Sequence, residues 1–129
     1  MRKITCIVCL VFALLLGSNA LAGPIITGSW DVFSLFNGRD EIIGLELDIE
    51  FGGHSLAAHG AVDFADGASI PAYGSGFFTV DDRIVFNLSM DQHLLIVVLD
   101  LDGNGTVDLF APGTNFIDTG TLTFVGILE

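Results

Sequence analysis

The sequence predicts an all-β chain, either a single small antiparallel β-sandwich or an up-and-down β-barrel of about eight strands. Three observations predict it. Several short stretches alternate apolar and polar residues with period two, turn-forming pairs recur between them, and no stretch after residue 22 sustains the 3.6-residue apolar period of a helix.

The first 22 residues are read separately. Arg2 and Lys3 precede an apolar run from Ile4 to Leu16, and small residues end at Ala20-Leu21-Ala22. This is the layout of a secretory signal peptide with cleavage after Ala22. The run is shorter than the roughly 20 residues needed to span a bilayer, so the expectation is a secreted, periplasmic or extracellular chain, residues 23–129 forming a single all-β domain. Cys6 and Cys9 both fall within the leader, which leaves the remainder without a disulfide.

Strands are expected in order at Ser29–Phe36, Leu45–Phe51, Leu56–Phe64, Ala68–Tyr73, Gly76–Val80, Ile84–Met90, Leu94–Leu101, Thr106–Phe110 and Thr121–Phe124. Leu45 to Phe51 alternates strictly, setting its apolar side chains on one face and Glu46, Asp48 and Glu50 on the other. Ile84, Phe86, Leu88 and Met90 share one face of their stretch, and Leu122 and Phe124 share one face of theirs. The connections are Asn37-Gly38, Gly52-Gly53, Asp66-Gly67, Asp81-Asp82, Asp91-Gln92 and Pro112-Gly113.

Leu94 to Leu99 departs from alternation, being apolar on both faces. Such a strand belongs in the centre of a sheet, its outer side covered by a loop, an apolar ligand or a neighbouring subunit of a homo-oligomer.

The formal net charge is −12, and removing the leader leaves only Arg39 and Arg83 against sixteen carboxylates. A field of that sign repels nucleic acid and anionic membrane surfaces and favours cations. Lys3 is the sole lysine, so the chain after the leader has none for Schiff-base chemistry or a phosphate loop.

One stretch has the spacing of a metal loop. In LDLDGNGTVDLF, Asp100, Asp102 and Asn104 stand at alternate positions, Gly105 permits a sharp turn, Thr106 offers a carbonyl and Asp108 stands ninth. Calcium takes six to eight oxygens, and alternate residues of a tight loop can aim theirs at one centre. The stretch resembles the calcium loops of EF-hands, dockerins and thrombospondin type 3 repeats. It departs from the EF-hand at the twelfth position, where Ala111 replaces a bidentate Glu, and in its strand flanks; Asp91 or Asp118 could supply the missing oxygen. Asp102-Gly103-Asn104-Gly105 is equally a strong hairpin turn that needs no metal.

Two further motifs set alternatives. Gly28-Ser29-Trp30, opening the first strand, is similar to the Gly-x-Trp of lipocalins and the Gly-Thr-Trp of avidin-like barrels, which implies an apolar-ligand barrel with Trp30, Phe33 and Phe86 lining a cavity. The stretch ELDIEFGG is similar to the E-x-D-x-E signature of glycoside hydrolase family 16. That resemblance implies Glu46 as nucleophile, Glu50 as acid/base and Asp48 tuning both, although residues four apart on a strand are about 13 Å apart where retaining carboxyls need about 5 to 5.5 Å.

His54, His59 and His93 form no spacing of a catalytic or metal site, and Asn87-Leu88-Ser89 and Asn104-Gly105-Thr106 match the glycosylation sequon. The expectation is therefore a secreted, acidic, non-catalytic β-domain acting as a structural or binding module, with a calcium-stabilised hairpin at Asp100, Asp102, Asn104, Thr106 and Asp108.

Overall fold

The computed structural model describes residues 25–52, 55–113 and 115–128. The predicted leader, Cys6, Cys9 and His54 lie outside the described residues. Eight strands follow one another: β1 (Ile25–Asn37), β2 (Asp40–Gly52), β3 (Ser55–Phe64), β4 (Ser69–Phe78), β5 (Ile84–Met90), β6 (His93–Leu99), β7 (Gly105–Ala111) and β8 (Asn115–Leu128). Each pairs antiparallel with the next, and β8 returns to β1, closing an up-and-down barrel. Closure leaves no free sheet edge.

Period two explains which side chains fill it. Leu45, Leu47 and Ile49 of β2 are buried, as are Ile84, Phe86, Leu88 and Met90 of β5 and Leu95, Val97 and Leu99 of β6. Eight strands enclose a space that side chains can just fill, and they do so here. The void between Val32, Leu35, Ile42 and Leu122 amounts to about 10 Å³, roughly the space of one water molecule. Among the described residues no polar side chain is buried. The interior is apolar, unlike the polar interior of membrane barrels; no described helix is long and apolar enough to cross a membrane.

Three expectations are corrected. Ala68–Tyr73 and Gly76–Val80 are one strand, β4, which runs through Gly74 and Gly76. A Cβ at Gly74 would lie 1.9 Å from the Asn87 carbonyl oxygen, so this glycine marks close approach of β5 and not a break. The strand from Leu94 ends at Leu99, two residues early, because the backbone turns at Asp100. Phe33 faces out at 50 % exposure instead of lining the interior. Its strand carries an irregularity between Asp31 and Leu35, where Ser34 takes φ +63°, so Val32 and Leu35 both reach the core and Phe33 does not.

Candidate functional site

The turns alternate between two ends of the barrel. The β4–β5 turn, the β6–β7 loop, the start of β1 and the end of β8 share one end, and the β1–β2, β3–β4 and β5–β6 turns share the other.

The loop from Asp100 to Asn104 folds over the first of these ends. Asp100 N–H donates to the Asn104 carbonyl at 2.8 Å and Gly103 N–H to the Asp100 carbonyl at 2.9 Å, with Gly103 at φ +90°. Asp102 Oδ1 accepts from Asn104 N–H at 2.9 Å, the Asx geometry that short acidic side chains give turns. Gly103 is buried, and its carbonyl accepts from the indole N–H of Trp30 at 2.8 Å. Asn104 Oδ1 accepts from the backbone N–H of Phe124 at 2.9 Å. The Trp30 and Phe124 rings lie 5.5 Å apart at 56°. Because Trp30 belongs to β1 and Phe124 to β8, one loop holds both strands of the closing pair.

Gly28 is part of this arrangement. Gly28 and Trp30 point inward together, and a Cβ at Gly28 would fall 2.6 Å from the far edge of the indole. The Gly-Ser-Trp stretch thus lets the ring lie flat over its own strand and cap the interior.

The five residues expected to hold calcium are distributed as follows. Asp102 and Asn104 touch each other, while the Asp100 carboxylate lies 3.1 Å from Arg83 Nε. Thr106 and Asp108 lie along β7, opposite Val98 and Ile96, and Asp108 Oδ1 accepts from the Thr119 hydroxyl at 2.6 Å. Among the described residues no three carboxylates or imidazoles are grouped as metal ligands would be. Asp118 accepts from Phe36 N–H near the other end. Asp91 lies in the β5–β6 turn, also at that end.

Arg83 also approaches Asp81 at 3.8 Å. The Thr79 hydroxyl, donating to Asp81, holds that carboxyl below the usual carboxylate range against an opposing loss of hydration, and Arg83 adds the smallest share.

Glu46, Asp48 and Glu50 all face outward on the convex wall of β2, Glu46 opposite Ser29 and Ala61, and Glu50 opposite Ile25 and Ala57. Asp48 accepts from the Thr27 hydroxyl and lies 4.0 Å from exposed His59. His93 Nδ1 contacts the Asp91 carbonyl at 3.2 Å. Of the sequon asparagines, Asn87 is exposed on β5, and the Asn104 amide is engaged with Asp102 and Phe124.

The outer side of β4 to β6 is of another kind. On β4 the outward residues include Tyr73, Ser75 and Phe77; on β5 they are Val85, Asn87 and Ser89; on β6 they are Leu94, Ile96 and Val98. None carries a charge. Strand register aligns them in rows: Phe77, Val85 and Val98; Ser75, Asn87 and Ile96, next to which β7 sets the charged Asp108; Tyr73, Ser89, Leu94 and Phe110. Phe116 extends the last row, edge-on to Phe110 at 5.7 Å. β6 packs against β5 and β7 in the wall, and its outer side chains remain part-exposed. The doubly apolar strand was legible in the sequence, but its row partners were not, because register is set by pairing across strands.

Comparison with protein families, with characterised proteins and with solved structures finds no match to this chain.

Proposed function

We propose that this chain is an exported, non-catalytic binding module whose filled barrel is scaffold and whose outer face on β4 to β6 takes a partner. One observation supports the reading above the others: three consecutive strands of an acidic chain turn no charged side chain outward, and the central one turns out Leu94, Ile96 and Val98. Contiguous exposed apolar surface on a small domain is characteristic of interaction sites. The void between Val32, Leu35, Ile42 and Leu122, about 10 Å³, is far below the roughly 300 Å³ at which small-molecule pockets begin, which favours the outer face over that part of the interior as the place for a ligand. Glu46 and Glu50 on a convex wall lack the converging geometry that glycoside hydrolysis needs.

The test is binding of the neutral dye Nile red by the dilute folded protein, compared with Asn87→Asp and Ile96→Asp. Dye fluorescence that rises with the native chain and falls in both variants, at unchanged circular dichroism, supports the reading. Absence of dye binding by the native chain overturns it.

Calcium at the β6–β7 loop is the second reading, favoured by the presence of Asp100, Asp102 and Asn104 within five residues of one exposed loop. An ion there would have to draw Asp100 from Arg83 and recruit oxygens from beyond the loop. With a Kd near 0.1 mM, about 2 mM calcium would stabilise the fold by roughly 1.8 kcal/mol through mass action. The melting midpoint should then rise by several degrees over that in chelator, and the rise should vanish in Asp102→Ala. Equal midpoints with and without calcium overturn this second reading.

A further inference from the structure

We propose that Asn37 is a site of spontaneous covalent modification, at which the side-chain amide leaves as ammonia and a carboxylate replaces it, with water as the only co-reactant. The chemistry needs a short side chain with an electrophilic carbonyl, followed by a residue whose backbone nitrogen can reach it. Glycine in the second place leaves that approach unobstructed, because it has no Cβ and takes either sign of φ. The Gly38 nitrogen loses its proton and attacks Asn37 Cγ, closing a five-membered succinimide ring, and the Cγ–Nδ2 bond breaks as ammonia departs. Water then opens the ring at one of its two carbonyls. Breaking the bond from Gly38 N to Cγ gives aspartate. Breaking the bond from Gly38 N to the main-chain carbonyl carbon of residue 37 gives isoaspartate, whose backbone runs through the side chain. Nothing is oxidised or reduced, and each event adds one negative charge.

The sequence holds four pairs of this kind, Asn37-Gly38, Asp66-Gly67, Asp102-Gly103 and Asn104-Gly105, and the fold leaves only the first free to react. Gly67 N–H donates to the Phe64 carbonyl at 3.0 Å and Gly103 N–H to the Asp100 carbonyl at 2.9 Å, so both of those nitrogens are engaged. The ionised carboxylate before each also repels an anionic nitrogen. In Asn104-Gly105 the amide is held at both ends, Oδ1 by Phe124 N–H at 2.9 Å and Nδ2 by Asp102 at 3.4 Å. Gly105 is built into β7 between Leu99 and Leu122, and a Cβ there would stand 1.8 Å from the Val98 carbonyl oxygen. Asn37-Gly38 has none of these restraints. The half-exposed Asn37 amide makes no hydrogen bond among the described residues. Gly38 is exposed at the first position of the two-residue turn that closes the Asn37–Asp40 pair, and its N–H enters no turn hydrogen bond. Positive φ at Gly38 and not at Arg39 is the type II′ pattern, and a Cβ on Gly38 would meet nothing within 4 Å. Loop tips of this kind open at little free-energy cost, so the backbone of Asn37 can turn and bring Cγ to the nitrogen. The effect falls on the end of the barrel away from Trp30, where the turn borders a hollow lined by Phe36, Arg39, Glu41 and Phe64. Isoaspartate inserts a methylene at the pair from which the β1–β2 ladder starts, and either product sets a carboxylate near Asp40.

The test holds the protein produced from the full 129-residue sequence folded at mildly alkaline pH and follows peptide masses, released ammonia and enzymatic methylation of isoaspartate. Asn37 should be converted, and faster as pH rises, because the attacking nitrogen must lose its proton. Asn104 should react at least about tenfold more slowly, the factor that about 1.4 kcal/mol of local opening imposes. In urea, where the fold no longer separates them, the two should react at similar rates. Gly38→Ala should slow the reaction at residue 37, and Asn37→Gln, which needs a larger ring, should abolish it at unchanged circular dichroism. Conversion of Asn104 as fast as that of Asn37 in the folded chain overturns the proposal. So does an Asn37 that persists in the folded chain, whether or not it reacts in urea, and so does conversion undiminished by Gly38→Ala.

Discussion

At one end of the barrel the β6–β7 loop lies across the opening, tied to Trp30, to the backbone of Phe124 and to Arg83. At the other end the β3–β4 turn is held to β2 by one backbone bond, Ala65 N–H to the Glu41 carbonyl at 2.9 Å, and an open hollow of about 220 Å³ separates Phe36 and Arg39 from Phe64 and Asp66. Both ends are built from turns rich in Asp, Asn and Gly. The difference is that one Trp reaches from the wall to a buried loop carbonyl. A turn residue's contribution to stability is thus decided by what it meets across the barrel, not by its own propensity.

The largest contrast between the ends should come from aromatic truncation. Trp30→Ala removes the cap and leaves the Gly103 carbonyl without its donor, with an expected cost of about 3–5 kcal/mol in urea unfolding. Phe36→Ala, at the opposite end and 42 % exposed, should cost under about 1 kcal/mol. Trp30→Phe keeps most of the ring but loses the donor, and should cost about 1–3 kcal/mol. Equal costs for Trp30→Ala and Phe36→Ala would end the distinction between the two ends.

Glycine substitution sharpens the same contrast. Gly28→Ala drives a methyl into the indole and should cost about 1–3 kcal/mol by overpacking, with a shift in Trp30 fluorescence. Gly38→Ala, in the β1–β2 turn, meets nothing within 4 Å and pays only for its φ of +70°, about 1 kcal/mol. Its Trp30 emission should match that of the native chain.

The smallest effects belong to the exposed charges around the closed end. Arg83→Gln should cost at most about 0.5 kcal/mol, and less in high salt, as exposed pairs do. Asp81 is held below its ordinary unfolded value of 3.8. Its contribution is therefore complete above that pH and is lost as pH falls through the lower folded value. In Thr79→Val the Asp81 carboxyl should titrate closer to its ordinary value, as followed by NMR.

Local pattern carried most of the architecture. The turn pairs at Asp66-Gly67, Asp81-Asp82, Asp91-Gln92 and Pro112-Gly113 fall between strands, Asn37-Gly38 straddles the end of β1, and Ile84, Phe86, Leu88 and Met90 are buried together. Closure was not legible, since sandwich and barrel share the same alternation and differ in whether the terminal strands meet. Nor was the hydrogen bond between Trp30 and Gly103, which spans 73 residues. The one hint was Gly28 two positions before Trp30, the spacing that lets an inward ring lie over its own strand. For the loop at Asp100 to Asp108, the alternating oxygens were visible, but not Arg83, Phe124 and Thr119, which engage Asp100, Asn104 and Asp108.

The pairing of β1 with β8 carries a consequence for the order of folding. Every other pairing joins neighbours in the chain and can zip from a short turn, whereas Thr27 must find Leu128 across a loop whose entropy cost grows with its length. Ring closure should therefore come last and set the rate. The chain holds one tryptophan, placed on that seam. In refolding from urea, far-ultraviolet circular dichroism should recover first as hairpins form. Trp30 fluorescence should follow in a slower phase, as the indole meets Gly103 and the barrel closes.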